Sequence, residues 1–125
     1  MTKEEVVAVI NRLGKEMPSR MTGNEENSFL ARKISPLIAT HRSVVVSLLR
    51  DWLAVRIPQA SRQAGAGVHE GRIWLALELA QLNSLYELKP DVESLLHAIE
   101  AGDTFLPYYA PMVEEYLEGM SSLKT

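Results

Sequence analysis

A chain of 125 residues has room for one domain, and surface scaling predicts that such a chain buries about two thirds of its unfolded surface. It contains no cysteine, which excludes disulfides, thiolate zinc sites, iron–sulfur clusters and a cysteine nucleophile. The formal net charge of −3 argues against nucleic acid as the main partner, and 46% hydrophobic with 23% charged residues is the composition of an ordinary globular domain.

From the N-terminus, Thr2 and Glu5 have the Ser/Thr-x-x-Glu spacing of a capping box. Val6, Val9, Ile10, Leu13 and Met17 follow with helical periodicity, and Pro18 closes this first helix. Residues 18–24 read as a loop, with Asn24 as N-cap of a second helix that turns Phe29, Leu30 and Ile34 inward. Ser35-Pro36 has the form of a fresh cap with proline at the first helical position, so a break or kink is expected there. A third helix spans about Ser43 to Val55, with Val45, Leu48, Leu49 and Trp52 on one face. No segment alternates with period two, so no sheet is expected.

Pro58, Gly65, Gly67 and Gly71 mark residues 58–71 as a mobile Gly-rich connector, either a long loop or a short helix followed by one. The helix after it, about 70–88, carries two apolar stripes. One is Leu75, Leu79, Leu82 and Tyr86, and the other is Ile73, Trp74, Leu77, Leu85 and Leu88. A helix apolar on two sides packs on two sides, which makes it the expected centre of the fold. Lys89-Pro90-Asp91 starts a helix over 91–101 with Val92, Leu95, Leu96 and Ile99 inward and Gly102 as the residue after its end. Asp103 or Thr104 is expected to cap a last segment running to about Gly119. Pro107 and Pro111 divide its first half, and Tyr109, Met112, Val113 and Tyr116 face inward. Residues 120–125 are expected to fray.

Residues 45–49, Val-Val-Ser-Leu-Leu, return 47 positions later as Val-Glu-Ser-Leu-Leu at 92–96. Leu48-Leu49-Arg50-Asp51 leads into Val55-Arg56-Ile57, and Pro90 through Asp103 pairs two leucines with a Gly-Asp ending. Over about residues 36–119 this pattern resembles the HEAT-like α-helical repeats of α-solenoids, whose period is about 40–47 residues. Two departures stand out: Pro58 falls inside what would be a second helix, and Phe105-Leu106-Pro107 occupies the place of a Val-Arg pair. The resemblance implies stacked hairpins around a curved groove used mostly to bind proteins. The fold expected is therefore a single all-α domain over 1–125, with five to six helices as stacked antiparallel hairpins, either a short HEAT-like solenoid or an irregular helical bundle.

Little in the sequence suggests chemistry. His41, His69 and His97 form no recognised ligand spacing. Glu93 and His97 share a helix face but lack the second Glu-x-x-His set of a di-metal bundle, so a solvated face is expected. Gly65-Ala66-Gly67-Val68-His69-Glu70-Gly71 is glycine-rich like a phosphate loop but has no preceding strand. No Gly-x-Ser-x-Gly elbow or zincin motif occurs. The expectation is a non-enzyme with no catalytic residue, metal site or cofactor.

Charge and aromatic residues are unevenly spread. Residues 1–57 hold nine Lys/Arg against six Asp/Glu, and residues 58–125 hold four against ten. Such a chain meets an oppositely charged partner, or its two halves meet each other. Five of the eight aromatics, Tyr86, Phe105, Tyr108, Tyr109 and Tyr116, lie in the C-terminal third. Tyr108 and Tyr109 are adjacent, so one faces solvent. Tyr108 with Glu114, Glu115 and Glu118 then forms an anionic aromatic surface for another, basic protein. The expected function is a small protein–protein interaction module: an adaptor, regulatory or inhibitor subunit. Two alternatives are an immunity or antitoxin-type protein neutralising a basic toxin, and a nucleic-acid-binding domain using Arg32, Lys33, Arg42, Arg50 and Arg56. A homo-oligomer held by the opposite charges of the two halves stays open. No apolar run reaches membrane-spanning length and none of signal-peptide length follows Met1, so the cytoplasm is the expected compartment.

Overall fold

The computed structural model describes residues 1–16, 23–57, 66–104, 106 and 109–123. Among these, the chain forms α1 (Lys3–Glu16), α2 (Gly23–Leu53), α3 (Ala66–Leu82), a 3-10 turn (Tyr86–Leu88), α4 (Lys89–Glu100) and α5 (Tyr109–Leu123), with no strand. The all-α expectation holds.

α1 begins as its sequence dictates. The Thr2 hydroxyl accepts the Glu5 N–H at 3.2 Å, and Glu5 Oε1 accepts the Thr2 N–H at 3.1 Å. This reciprocal box satisfies two otherwise orphan donors. Val6 is buried, with Val7, Ile10 and Leu13 packed at the core's edge. Met17 lies outside the described residues.

α2 departs from expectation. Where a break or kink at Ser35-Pro36 was expected, the helix runs through Pro36 and the kink falls at His41 (φ −133°, ψ 40°). Pro36 is exposed, and Arg32, whose carbonyl its missing N–H leaves without a helical donor, is exposed too. On that outer face water can serve the carbonyl, so the proline is tolerated. The kink gives α2 two arms. Residues 23–40 bury Ala31, Ile34 and Ile38, and residues 42–53 bury Val45, Val46, Leu48, Leu49, Trp52 and Leu53.

Residues 55–57 are not helical, so Val55-Arg56-Ile57 does not open a second helix. The Ile57 N–H donates to the Thr104 hydroxyl at 2.7 Å, a buried bond that ties the exit of α2 to the loop after α4. Thr104 therefore serves α2 rather than capping α5. Of the connector expected at 58–71, residues 58–65 lie outside the described residues, and residues 66–71 are helical, as the start of α3.

α3 occupies the centre. Ile73, Leu75, Ala76, Leu77, Leu79 and Ala80 are all buried, and the helix packs against α2 on one side and α5 on the other. It ends at Leu82, six residues before the expected limit. Ser84 takes a left-handed φ of 51°. The Leu85 N–H then donates to the Ala80 carbonyl (2.9 Å) and the Ser84 N–H to the Gln81 carbonyl (3.3 Å), which is the Schellman arrangement. That turn redirects the chain. Leu85 and Leu88 enter the core, while Leu82 and Tyr86, both expected inward, are more than half exposed.

α4 ends on a second Schellman cap, at the glycine the sequence marks. Gly102 has φ +81°, its N–H donates to the Ile99 carbonyl, and the Asp103 N–H donates to the Ala98 carbonyl at 2.8 Å. α5 runs unbroken from Tyr109 past Pro111 to Leu123. Its first turn accommodates the proline because the N–H groups there have no helical acceptor. Val113, Tyr116 and Met120 are buried, so the helix continues where fraying was expected.

Candidate functional site

Two polar features dominate the described surface. The first is a seam between the second arm of α2 and the segment Tyr86–Ser94. Arg42 grips Glu87 bidentately, Nε to Oε2 at 2.7 Å and Nη2 to Oε1 at 2.8 Å. The Tyr86 ring lies 5.6 Å from the same guanidinium. Two turns on, Arg50 donates to Asp91 Oδ2 (3.1 Å) and to the Glu87 carbonyl (3.2 Å). Arg56 folds back on the Leu53 and Val55 carbonyls and reaches Ser94 Oγ at 3.3 Å. The Arg42 hydrogen bonds hold the Glu87 carboxyl below the usual carboxylate range, and Glu87 in turn raises Arg42.

This seam accounts for part of the charge asymmetry of the sequence, because at it the two halves meet each other. It also engages three of the five basic residues proposed for nucleic acid. Arg32 and Lys33 are exposed on the first arm of α2, where Arg32 donates to the Ser28 carbonyl and Lys33 lies 5.7 Å from the Phe29 ring. Removing the Arg42–Glu87 and Arg50–Asp91 pairs leaves seven basic against six acidic residues in 1–57. In 58–125 it leaves four against eight. The uncompensated charge is acidic and C-terminal.

The second feature is the outward surface of α4 and α5. From Pro90 to Leu123 the chain has seven carboxylates and no lysine or arginine. Asp91 is neutralised by Arg50, while Glu93, Glu100, Asp103, Glu114, Glu115 and Glu118 are exposed. The inward stripe of Val113, Tyr116 and Met120 dictates this. Helical spacing turns Glu114, Glu115 and Glu118 away from the core together. Three of the four residues expected to form a partner surface thus share one exposed helical face. Tyr108 lies outside the described residues.

Below this surface Tyr116 is fully buried, and its hydroxyl donates to the Leu85 carbonyl at 2.6 Å. Burial pushes its phenol above the usual tyrosine range, and the carboxylates of Glu87, Asp91 and Glu93 add to the shift. Sequence reasoning counted Leu82 and Tyr86 as core. The available signal was Asn83-Ser84, a polar pair that ends the stripe and lets the chain turn.

The two described histidine side chains, His41 and His97, lie on different helices. His41 is half-buried at the kink of α2, and Glu93 and His97 are exposed on α4. Among the described residues no group of three His, Cys, Asp or Glu could hold a metal ion. No described helix is long and apolar enough to cross a membrane. Gly67 to Gly71 belong to a helix rather than a phosphate-binding loop. The chain matches no family model, and no curated protein or solved structure is detectably similar to it.

Proposed function

We propose that this chain is a non-catalytic protein-interaction module of the cytoplasm, an adaptor, regulatory or inhibitor subunit that docks a basic protein on the acidic surface of α4 and α5. The observation that carries this reading is the run from Pro90 to Leu123 without a cationic side chain, with Glu93, Glu100, Asp103, Glu114 and Glu115 exposed along it. A surface of one sign steers and selects an oppositely charged partner more than it adds raw affinity. The internal use of Arg42, Arg50 and Arg56 favours this reading over nucleic-acid binding. An immunity or antitoxin role against a basic toxin is the same surface with a more specific partner. A short HEAT-like stack suits such a role, and Val45 with Val92 and Leu48 with Leu95 are buried alike in the two related segments.

The test is affinity capture from native extract with wild type and with Glu114→Lys/Glu115→Lys. Both positions are exposed, so the fold tolerates the reversal. A single basic protein held by wild type, released by added salt and absent from the folded variant is the expected result. Capture that survives both the reversal and the salt would remove the acidic surface from the interaction.

A further inference from the structure

We propose that α1 is a detachable cover: it leaves α2 and melts as one unit while α2 to α5 stay folded, and so uncovers an apolar face that the closed fold hides. This is independent of the acidic surface of α4 and α5, and it gives the chain a second surface that exists only in the open form.

Three observations carry it. The first is burial. α1 packs chiefly against α2, buries one of its 14 residues, Val6, and holds Val7, Ile10 and Leu13 only partly covered against the core. The second is the contrast with the other terminal helix. α5 packs against both α3 and α4, buries Val113, Tyr116 and Met120, and donates the buried hydrogen bond from Tyr116 to the Leu85 carbonyl. The third is the polar contact. Lys3 pairs with Asp51 at 2.7 Å, but the two side chains are 41% and 58% exposed. An ion pair so open to water holds a helix weakly and is screened by salt.

Once undocked, α1 has little to keep it helical. Val6, Val7, Val9 and Ile10 are β-branched, and Gly14 lies in the last turn. Both kinds of residue lower helix propensity. Isolated helices shorter than about 12–15 residues are marginal in water even when built from better formers. The capping box at Thr2 and Glu5 secures the first turn but adds no contact to α2. Undocking and melting are therefore one step. What that step uncovers is apolar, because Val6, Val7, Ile10 and Leu13 pack against the hydrophobic core. Within one fold, the free energy of opening a unit ranges from near zero to the global value and follows how much the unit buries. By that rule α1 opens first.

The chain has no cysteine, so one introduced at Val6 or at Val113 is the only thiol present. Both valines are fully buried, one in α1 and the other in α5, and the two substitutions are chemically the same. In native buffer Val6→Cys is expected to react with iodoacetamide at least about a hundredfold faster than Val113→Cys, equivalent to about 2.7 kcal/mol. Small additions of urea should barely change the faster rate, because opening α1 exposes little surface. Equal rates that rise together with urea would mean that α1 opens only when the whole chain unfolds, and would overturn the proposal. Amide hydrogen exchange of the wild-type chain, followed by NMR, decides the matter whether or not either variant folds. The amides of residues 7–16 should share one opening free energy, well below that of α3 and α5. Protection equal to that of α3 overturns the cover. So does protection that climbs residue by residue from Val7 to the level of α3, which is fraying of a helix end and not release of a unit.

Discussion

Tyr116→Phe isolates one buried hydrogen bond and lets its magnitude be reasoned in advance. The hydroxyl donates to the Leu85 carbonyl at 2.6 Å with the side chain fully buried. Deleting it does not orphan that carbonyl, because the Leu88 N–H donates to the same oxygen at 3.1 Å. The penalty is therefore that of one neutral hydrogen bond, about 1 kcal/mol, rather than the ~3 kcal/mol of a stranded buried acceptor. It is also well below the 3–5 kcal/mol typical of truncating a buried aromatic to alanine. In a chain of this size that is a melting-temperature fall of about 3–5 °C, read by circular dichroism or by the fluorescence of Trp52 and Trp74. The phenol adds a pH signature. Its folded-state titration lies above the unfolded value near 10, so its contribution is fully present below about pH 10. Above that the unfolded chain releases a proton that the folded chain keeps, and wild type loses stability. The Phe variant has no such proton, so the gap between the two proteins narrows from pH 9 to pH 11. A loss above 3 kcal/mol, no loss at all, or a gap independent of pH would refute the reasoning.

Ser84→Gly removes a side chain from a left-handed position that glycine adopts freely, and urea denaturation should show a gain of up to about 1 kcal/mol. Gly119→Ala should also stabilise by about 1 kcal/mol, because the glycine sits within exposed helix and an added Cβ meets nothing within 4 Å. A double-mutant cycle with Arg42→Ala and Glu87→Ala should give a coupling of about 1 kcal/mol, modest because both side chains are partly exposed. Glu87 titrates below its unfolded value, so this coupling is present above about pH 4 and should fade as pH falls through the folded value; a coupling unchanged at pH 3 would contradict the pairing.

How much of this was legible follows from whether each feature is encoded locally. The capping box at Thr2 and Glu5 and the Schellman cap at Gly102 are, because each uses the residue type its geometry demands. The buried face Val45, Leu48, Leu49 and Trp52 and the two-sided apolarity of α3 are local periodicities and could be read directly. The Schellman cap at Ser84 was legible only in part: the polar pair Asn83-Ser84 signals a turn, but serine does not advertise a positive φ. Missing it extended α3 by six residues and turned Leu82 and Tyr86 inward. Pro36 misled in the opposite direction. Its local signal says break, but the cost of a proline in a helix depends on whether the freed carbonyl reaches water, which is a tertiary fact. The exposure of Glu114, Glu115 and Glu118 was legible from helical spacing against Val113 and Tyr116. The pairing of Arg42 with Glu87, 45 residues apart, was not.

That pairing changes what the charge of the chain means. Read along the sequence, a basic half and an acidic half suggest either an acidic end that meets a basic partner or two ends that meet each other. In the fold, the arginines of the second α2 arm lie against the start of α4, and much of the basic excess is consumed within the molecule. A strip of half-exposed ion pairs contributes little stability per pair, so its main effect is to fix which surfaces meet. It seats Glu87 of the 3-10 turn and Asp91 of α4 against α2, which orients α4 and, through the Tyr116–Leu85 bond, α5 as well. The carboxylates outside this strip include Glu93, Glu100, Asp103, Glu114 and Glu115, all exposed on or beside α4 and α5. The acidic face is thus the part of the acidic excess that the Arg42–Glu87 and Arg50–Asp91 pairs do not use.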